Sequence, residues 1–159
     1  MSRPVTFDPA LLDTHCIIDA RTPAEFAEDH LPGAVNLPIL SDADRVLVGT
    51  CYKQEGPTPA RELGLQLACH RVFPLVQSAK QVAHGRPILV YCWRGGLRSE
   101  SLTMLLTMAS LPAVKLQGGY KAYRQNVCRY FEALPLPAPL LVLHGMTGSV
   151  KTELLTRLD

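Results

Sequence analysis

The residues best suited to chemistry stand in one stretch, Cys92-Trp93-Arg94-Gly95-Gly96-Leu97-Arg98-Ser99. A thiolate is a strong nucleophile, and it needs positive potential around it to persist. Arg94 and Arg98 bring formal charge. Gly95 and Gly96 are expected to permit the backbone angles that turn successive N–H groups of a tight loop inward. A helix starting after them adds partial positive charge at its N-terminal end. Such a cradle would stabilise a Cys92 thiolate and seat any anionic group attached to, or approaching, its sulfur. A lone cysteine at a strand end is ordinarily a packing residue. With these glycines, arginines and a helix start around it, Cys92 reads as a nucleophile.

Several elements must position that loop. Ile88-Leu89-Val90-Tyr91 is a short apolar run with the look of a buried strand. Leu97, Ser101, Met104, Leu105 and Met108 recur at helical spacing behind the loop. Earlier, His15-Cys16-Ile17-Ile18-Asp19-Ala20 reads as a second buried strand. Thr22 then caps a short helix, with Pro23 in its first turn and Glu25 closing a capping box. Asp19, Arg21, Glu25 and His30 are expected to serve as caps and a buried ion pair rather than as catalytic groups. The connection His30 to Pro38 is rigid, with one brief strand. Ser41 to Arg45 has helix-starting residues, whereas Val48 to Gln54 reads as a turn into an irregular loop.

From Pro59 to about Ala83 the apolar spacing predicts two helical pieces interrupted near Pro74. Ala113-Val114-Lys115-Leu116 is another short strand, and Gly118-Gly119 turns it into a helix from Tyr120 to about Leu134. Alternating strands and helices argue for an α/β fold, a mostly parallel sheet with helices on both faces. Ligands of such sheets sit at the carboxyl ends of strands, where Asp19 and Cys92 fall.

Composition narrows the function classes. The chain has 159 residues, enough for one well-buried domain with little left over. A net charge of +2 does not announce a nucleic-acid-binding protein. No signal peptide is evident and no apolar run is long enough to span a bilayer, so no membrane association is expected. The five cysteines show neither metal-site spacing nor a disulfide framework, which points to no metal and a reducing, cytoplasmic setting.

Asp19-Ala20-Arg21, Glu25-Phe26, the His30 to Pro38 connection and the strand, Cys92 loop and helix together resemble a rhodanese domain. Finer features narrow the likeness: Val48-Gly49-Thr50 with Tyr52-Lys53-Gln54, the Cys92 to Ser99 stretch, and Gly118-Gly119-Tyr120-Lys121-Ala122-Tyr123-Arg124. In combination they resemble the bacterial tRNA 2-selenouridine synthase family, from about Asp8 to the chain's end. That resemblance implies exchange of the 2-sulfur of wobble 2-thiouridine in a tRNA anticodon for selenium. It further implies selenophosphate as donor, an S-geranylated intermediate made from geranyl diphosphate, no tightly bound cofactor, and a selenophosphate-producing enzyme as a partner. Cys92 would carry the chalcogen, while Trp93, Arg94, Gly95, Gly96, Leu97 and Arg98 would bind the anion or substrate.

The remaining segment has the register of a phosphate-binding loop. Pro135 to Pro139 is a stiff linker, Leu140 to His144 a buried strand, and Gly145-Met146-Thr147-Gly148-Ser149-Val150-Lys151-Thr152 opens a helix. Gly145, Gly148, Lys151 and Thr152 match the pattern, but Val150 stands at its last glycine position. A β-branched side chain there obstructs phosphate and strains the backbone by about 1–3 kcal/mol. The expected organisation is a rhodanese-like domain over 1–134 and, over 135–159, a linker with the first strand, loop and helix of a truncated P-loop domain.

Two other activities stay open. One is a general rhodanese-type sulfurtransferase. The other is a phosphatase-like hydrolase, because five residues separate Cys92 from Arg98, the Cys-x5-Arg spacing of cysteine phosphatases. A leaving-group acid for phosphoester cleavage is not evident in the sequence.

Overall fold

The computed structural model describes residues 3–135, 144–146 and 148–157. Residues 140–143 of the expected strand over 140–144 and most of the linker lie outside the described residues. The chain divides into two compact units, 1–128 and 129–159.

The first unit is built on four parallel strands: β1 (Cys16–Asp19), β2 (Val35–Asn36), β3 (Ile88–Tyr91) and β4 (Ala113–Lys115), in the order β2-β1-β3-β4. β1 and β3 run in register from Cys16 beside Ile88 to Asp19 beside Tyr91, so Asp19 and Cys92 emerge at the same edge. Both strands are buried throughout, as expected for a parallel sheet covered on both faces. Val5 bridges Leu116 just beyond β4.

Alternate strand residues feed two cores. On one face Ile18, Ile88 and Val90 pack with Leu75, Ala79 and Ala83 of α5 (Val72–Ala83) and Leu102 and Leu106 of α6 (Leu97–Met108). On the other, Ile17, Leu89 and Tyr91 pack with Leu31, Leu116 and Tyr120, flanked by Leu11 and Leu12 of α1 (Ala10–Thr14). Tyr120 opens α7 (Gly119–Ala133), the last helix of this series. The fold is therefore α/β with helices on both faces of a parallel sheet.

Two capping boxes fix the helices nearest the site. Thr22 and Glu25 close one at the start of α2 (Pro23–Glu28), and Ser41 and Asp44 close the other at α3 (Asp42–Gln54). Beneath α2 lies the expected buried ion pair. Arg21 donates from Nε and Nη2 to both Asp19 carboxylate oxygens at 2.7–3.1 Å, and its Cζ sits 4.2 Å from the centre of the Tyr120 ring. Nη2 also donates to the Asp29 carbonyl at 2.6 Å. Removing either partner of such a pair strands a buried charge, at a cost of about 3–5 kcal/mol.

The structure corrects the sequence reading at four points. Val48 to Gln54 is not an irregular loop but the second half of α3. The Ser41 capping box carries the helix past Gly49, whose backbone freedom is a tolerable loss in a long helix. The break between α4 (Pro57–Ala68) and α5 is a 3-10 turn at Cys69–Arg71, not at Pro74. Pro74 lies in the first turn of α5, where a missing N–H costs nothing. The buried face of α6 is Ser99, Leu102, Thr103 and Leu106, while Leu97, Met104 and Met108 are exposed. Lastly, Gly95 has φ +68°, but Gly96 has φ −86°, which any residue adopts.

Candidate active site

Cys92 follows β3 directly and is buried at the foot of a cleft of about 960 Å³. Glu25, Leu40, residues of α3, and Cys92, Trp93, Arg94, Gly96, Leu97 and Arg98 line that cleft. Gly95 faces the other way. A Cβ on it would lie 2.9 Å from the Leu116 carbonyl and 3.1 Å from the Gly118 nitrogen. The stretch from Cys92 to Arg98 is thus one loop plus the first turn of α6, with its glycine back against the turn that begins α7.

That turn holds the loop from behind. The Tyr120 N–H donates to the Cys92 carbonyl at 2.9 Å and the Lys121 N–H to the Trp93 carbonyl at 3.0 Å. Gly119, at φ +58°, is so close that a Cβ would meet the Cys92 carbonyl at 2.1 Å. Backbone packed on backbone at this distance leaves no volume for a side chain. Trp93 is about two-fifths exposed and tilts against Tyr120, ring centres 5.5 Å apart.

Ser99 and the Gly96 carbonyl stand beside the sulfur, the carbonyl at 3.9 Å. The Ser99 Oγ lies 3.2 Å from Cys92 Sγ and donates to the Gly96 carbonyl at 3.0 Å, with both side chains buried. The hydroxyl can accept from a thiol while donating to Gly96, or turn and donate to a thiolate. Ser99 escaped the sequence reading of roles, although its place seven residues after Cys92 was in plain view.

Arg98 does not present a free fork to the cleft. Both terminal nitrogens meet the Glu25 carboxylate, Nη1 at Oε2 and Nη2 at Oε1 (3.1 Å for the second contact). Glu25 Oε2 also accepts from the Thr22 N–H at 3.0 Å, within the α2 cap. Partial burial alone would raise the Glu25 carboxyl, but the Arg98 and Thr22 hydrogen bonds and the Arg98 and Arg21 charges outweigh it and hold it below the usual range. Arg94 is exposed. Asp19, Arg21 and His30 hold structural places: the ion pair above, and for His30 a hydrogen bond from its Nδ1 to the Phe26 carbonyl at 2.9 Å, with its ring stacked on Phe26.

The candidate phosphate-loop residues belong to the second unit. The Ser149 N–H donates to the Met146 carbonyl at 3.2 Å, Gly148 has φ +87°, and Val150, at φ +60°, precedes the short α8 (Lys151–Thr156) in a conformation unfavourable for a β-branched residue. Lys151 Nζ folds back onto the carbonyls of Gly145 (2.9 Å) and Met146 (2.7 Å) and onto Ser149 Oγ (3.2 Å). Thr152 is exposed in the first turn of α8. The lysine thus occupies the loop it would use to hold a phosphate.

Among the described residues no cluster of histidine, cysteine and acidic side chains could hold a metal, and no helix is long and apolar enough to cross a membrane. Curated relatives named tRNA 2-selenouridine synthase match this chain. The protein of Pseudomonas syringae pv. tomato is 42% identical over 147 residues, covering 89% of this chain and 39% of the relative. That of Shewanella sp. (strain MR-7) is 43% identical over 145 residues, again 89% and 39%. This chain therefore spans about two-fifths of the length of the curated relatives it matches. The crystal structure of the "N-terminal domain of putative ATP/GTP binding protein" from Clostridium difficile 630 superposes with a TM-score of 0.74 at 35% identity, covering 79% of this chain and 98% of that one. Residues 8–126 match the rhodanese-like domain family. That match spans the whole sheet and the Cys92 loop, and this chain belongs to the rhodanese-like family.

Proposed function

We propose that this chain serves selenium-for-sulfur exchange at carbon 2 of a tRNA wobble uridine, with Cys92 as the nucleophile that releases selenium from its donor. The Cys92 thiolate attacks the phosphorus of selenophosphate, the S–P bond forms as the P–Se bond breaks, hydroselenide leaves for carbon 2, and water then frees Cys92 and phosphate. The observation that carries the reading is Cys92 itself, buried at the foot of an open cleft and mounted on a loop whose back is pinned by Gly119 and Tyr120. The relatives' shared name supports it. In the overall exchange 2-thiouridine, selenophosphate and water give 2-selenouridine, phosphate and sulfide, with no net gain or loss of electrons. On an S-geranylated route, geranyl diphosphate is the co-substrate and the sulfur leaves as geranyl thiol.

The donor's phosphate would sit on the loop amides and Arg94, and Arg98 would reach it only by sharing or releasing Glu25. Ser99 would donate to Cys92 whenever it is a thiolate. A protein partner that makes selenophosphate belongs to the same proposal.

The hydrolase reading is weaker. Glu25 is the one carboxylic acid among the described cleft-lining residues, and a carboxylate bound by Arg98 and held below its usual range is a poor proton donor. A general sulfurtransferase shares the Cys92 geometry and differs in its donor. Intact-protein mass spectrometry after incubation with selenophosphate, thiosulfate or a phosphoester separates the three. The expected result is a phosphoryl adduct on Cys92 with release of hydroselenide from selenophosphate, both lost in Cys92→Ser. A sulfur adduct alone would favour the sulfurtransferase. Phosphoester turnover without release of hydroselenide from selenophosphate would favour the hydrolase.

A further inference from the structure

We infer that α3 is the second wall of a single-stranded RNA channel over Cys92, an inference that rests on the RNA-acceptor reading above. Arg45, Val46, Val48, Gly49, Thr50, Tyr52 and Lys53 of this helix line the same cleft as Cys92. Sequence-nonspecific binding of a single strand needs cations that track phosphates and aromatic faces on which bases stack. Both kinds stand on both walls. Tyr52 is 60% exposed on α3 and Trp93 is 41% exposed on the Cys92 loop. Arg45 and Lys53 on one wall and Arg94 on the other have no ion-pair partner among the described residues, whereas Arg98 is bound to Glu25. The acidic residues at the start of α3 are already engaged: Asp44 pairs with Arg71, and Asp42 accepts from the Ala24 N–H. The positive charge of the wall is therefore left facing the cleft.

Gly49 is the feature that sets this wall apart from an ordinary solvated helix. Glycine in a helix interior weakens the helix relative to alanine. Here its missing side chain leaves the place where the Arg45 guanidinium lies, since a Cβ on Gly49 would be 2.7 Å from Arg45 Nη1. Arg45, itself exposed, thus folds one turn along α3 so that its Nη1 rests over Gly49 at the cleft wall. Gly49 spends helix stability to place a cation opposite the nucleophile.

The test is protection of Cys92 from alkylation by iodoacetamide in the whole chain, titrated with a short oligouridylate and separately with inorganic phosphate. Each protection curve is normalised to that variant's own unprotected rate. In the wild type the oligouridylate should protect at lower concentration than phosphate. Tyr52→Ala, Lys53→Gln and Gly49→Ala should each raise the half-protecting RNA concentration by about ten-fold, the scale of one lost stacking or phosphate contact. The phosphate curve, set by the Cys92 loop, should stay where it is. Gly49→Ala is the sharpest variant, because it should hold or raise the thermal midpoint while weakening RNA binding. An RNA curve unmoved in all three variants overturns the α3 channel and leaves this face to a protein contact, with the RNA reading intact. RNA that fails to protect even the wild type overturns the RNA reading as well.

Discussion

Replacing Gly119 by alanine should damage the Cys92 loop far more than it damages the fold. The added Cβ would stand 2.1 Å from the Cys92 carbonyl, 2.6 Å from the Gly95 nitrogen and 3.1 Å from the Arg94 nitrogen, where ordinary contact begins at 3.4 Å. All three neighbours are backbone atoms, so no side chain can swing aside. The start of α7 and the loop must part by about 1 Å, on the scale at which misplaced reacting groups lose about a hundred-fold in rate. Overpacking costs about 1–3 kcal/mol, and an alanine at φ +58° adds about 1–2 kcal/mol. That is a large share of a typical stability of about 5–15 kcal/mol, yet it leaves the domain folded. At roughly 2–4 °C per kcal/mol, the thermal midpoint should fall by about 5–15 °C. Calorimetry would read the midpoint, and timed mass spectrometry the rate at which selenophosphate loads its phosphoryl group on Cys92. Gly96→Ala is the control. Gly96 has φ −86° and no atom within 4 Å of its would-be Cβ, so the variant's thermal midpoint should stay near wild type. Equal behaviour of the two variants, or wild-type loading in Gly119→Ala, would refute the claim that the α7 turn sets the loop.

Ser99→Ala removes the hydroxyl at 3.2 Å from Cys92 Sγ and should slow loading about ten-fold, with a thermal shift of only a few degrees, in the same two assays. Glu25→Gln keeps a capping-box side chain while freeing the Arg98 fork from a charged partner. Phosphate should therefore protect Cys92 at several-fold lower concentration in this variant. Weaker protection would mean that Glu25 orients Arg98 toward the anion. Because the Glu25 carboxyl is depressed in the folded chain, its contribution is full above the usual glutamate range and is lost as pH falls below that range through the depressed folded value. Urea midpoints of wild type and Glu25→Gln should thus differ at neutral pH and converge below about pH 4. Tyr120 has the opposite sign. Burial first, then its hydrogen bond to Asp29, pushes its phenol up to about 12, so the advantage of wild type over Tyr120→Phe should hold below about pH 10 and fade as pH rises toward 12. In the second unit, Val150→Gly should relieve the backbone at φ +60° without creating nucleotide binding in calorimetry, since Lys151 stays on the Gly145 and Met146 carbonyls.

What could be read along the chain was local. The β3 strand, the glycine-rich loop after Cys92 and the capping box at Thr22 each depend on neighbours a few residues apart, so residue types alone announce them. The Asp19–Arg21 pair was legible for the same reason, being two residues apart at a strand end. Helix α6 was legible as a helix but not in orientation. Leu97, Leu102, Met104, Leu105, Leu106 and Met108 place apolar groups nearly all round it, and only packing against the sheet selects the Ser99, Leu102, Thr103, Leu106 face. The partners that define the site lie far apart in sequence. Arg98 meets Glu25 across 73 residues, Gly119 presses on the Cys92 carbonyl, and α3 faces Cys92 across the cleft. Those meetings follow from the strand order β2-β1-β3-β4, which brings the ends of β1 and β3 side by side. Tertiary structure alone decided them, because contact between distant residues is fixed by how the sheet is assembled and not by the preferences of either residue.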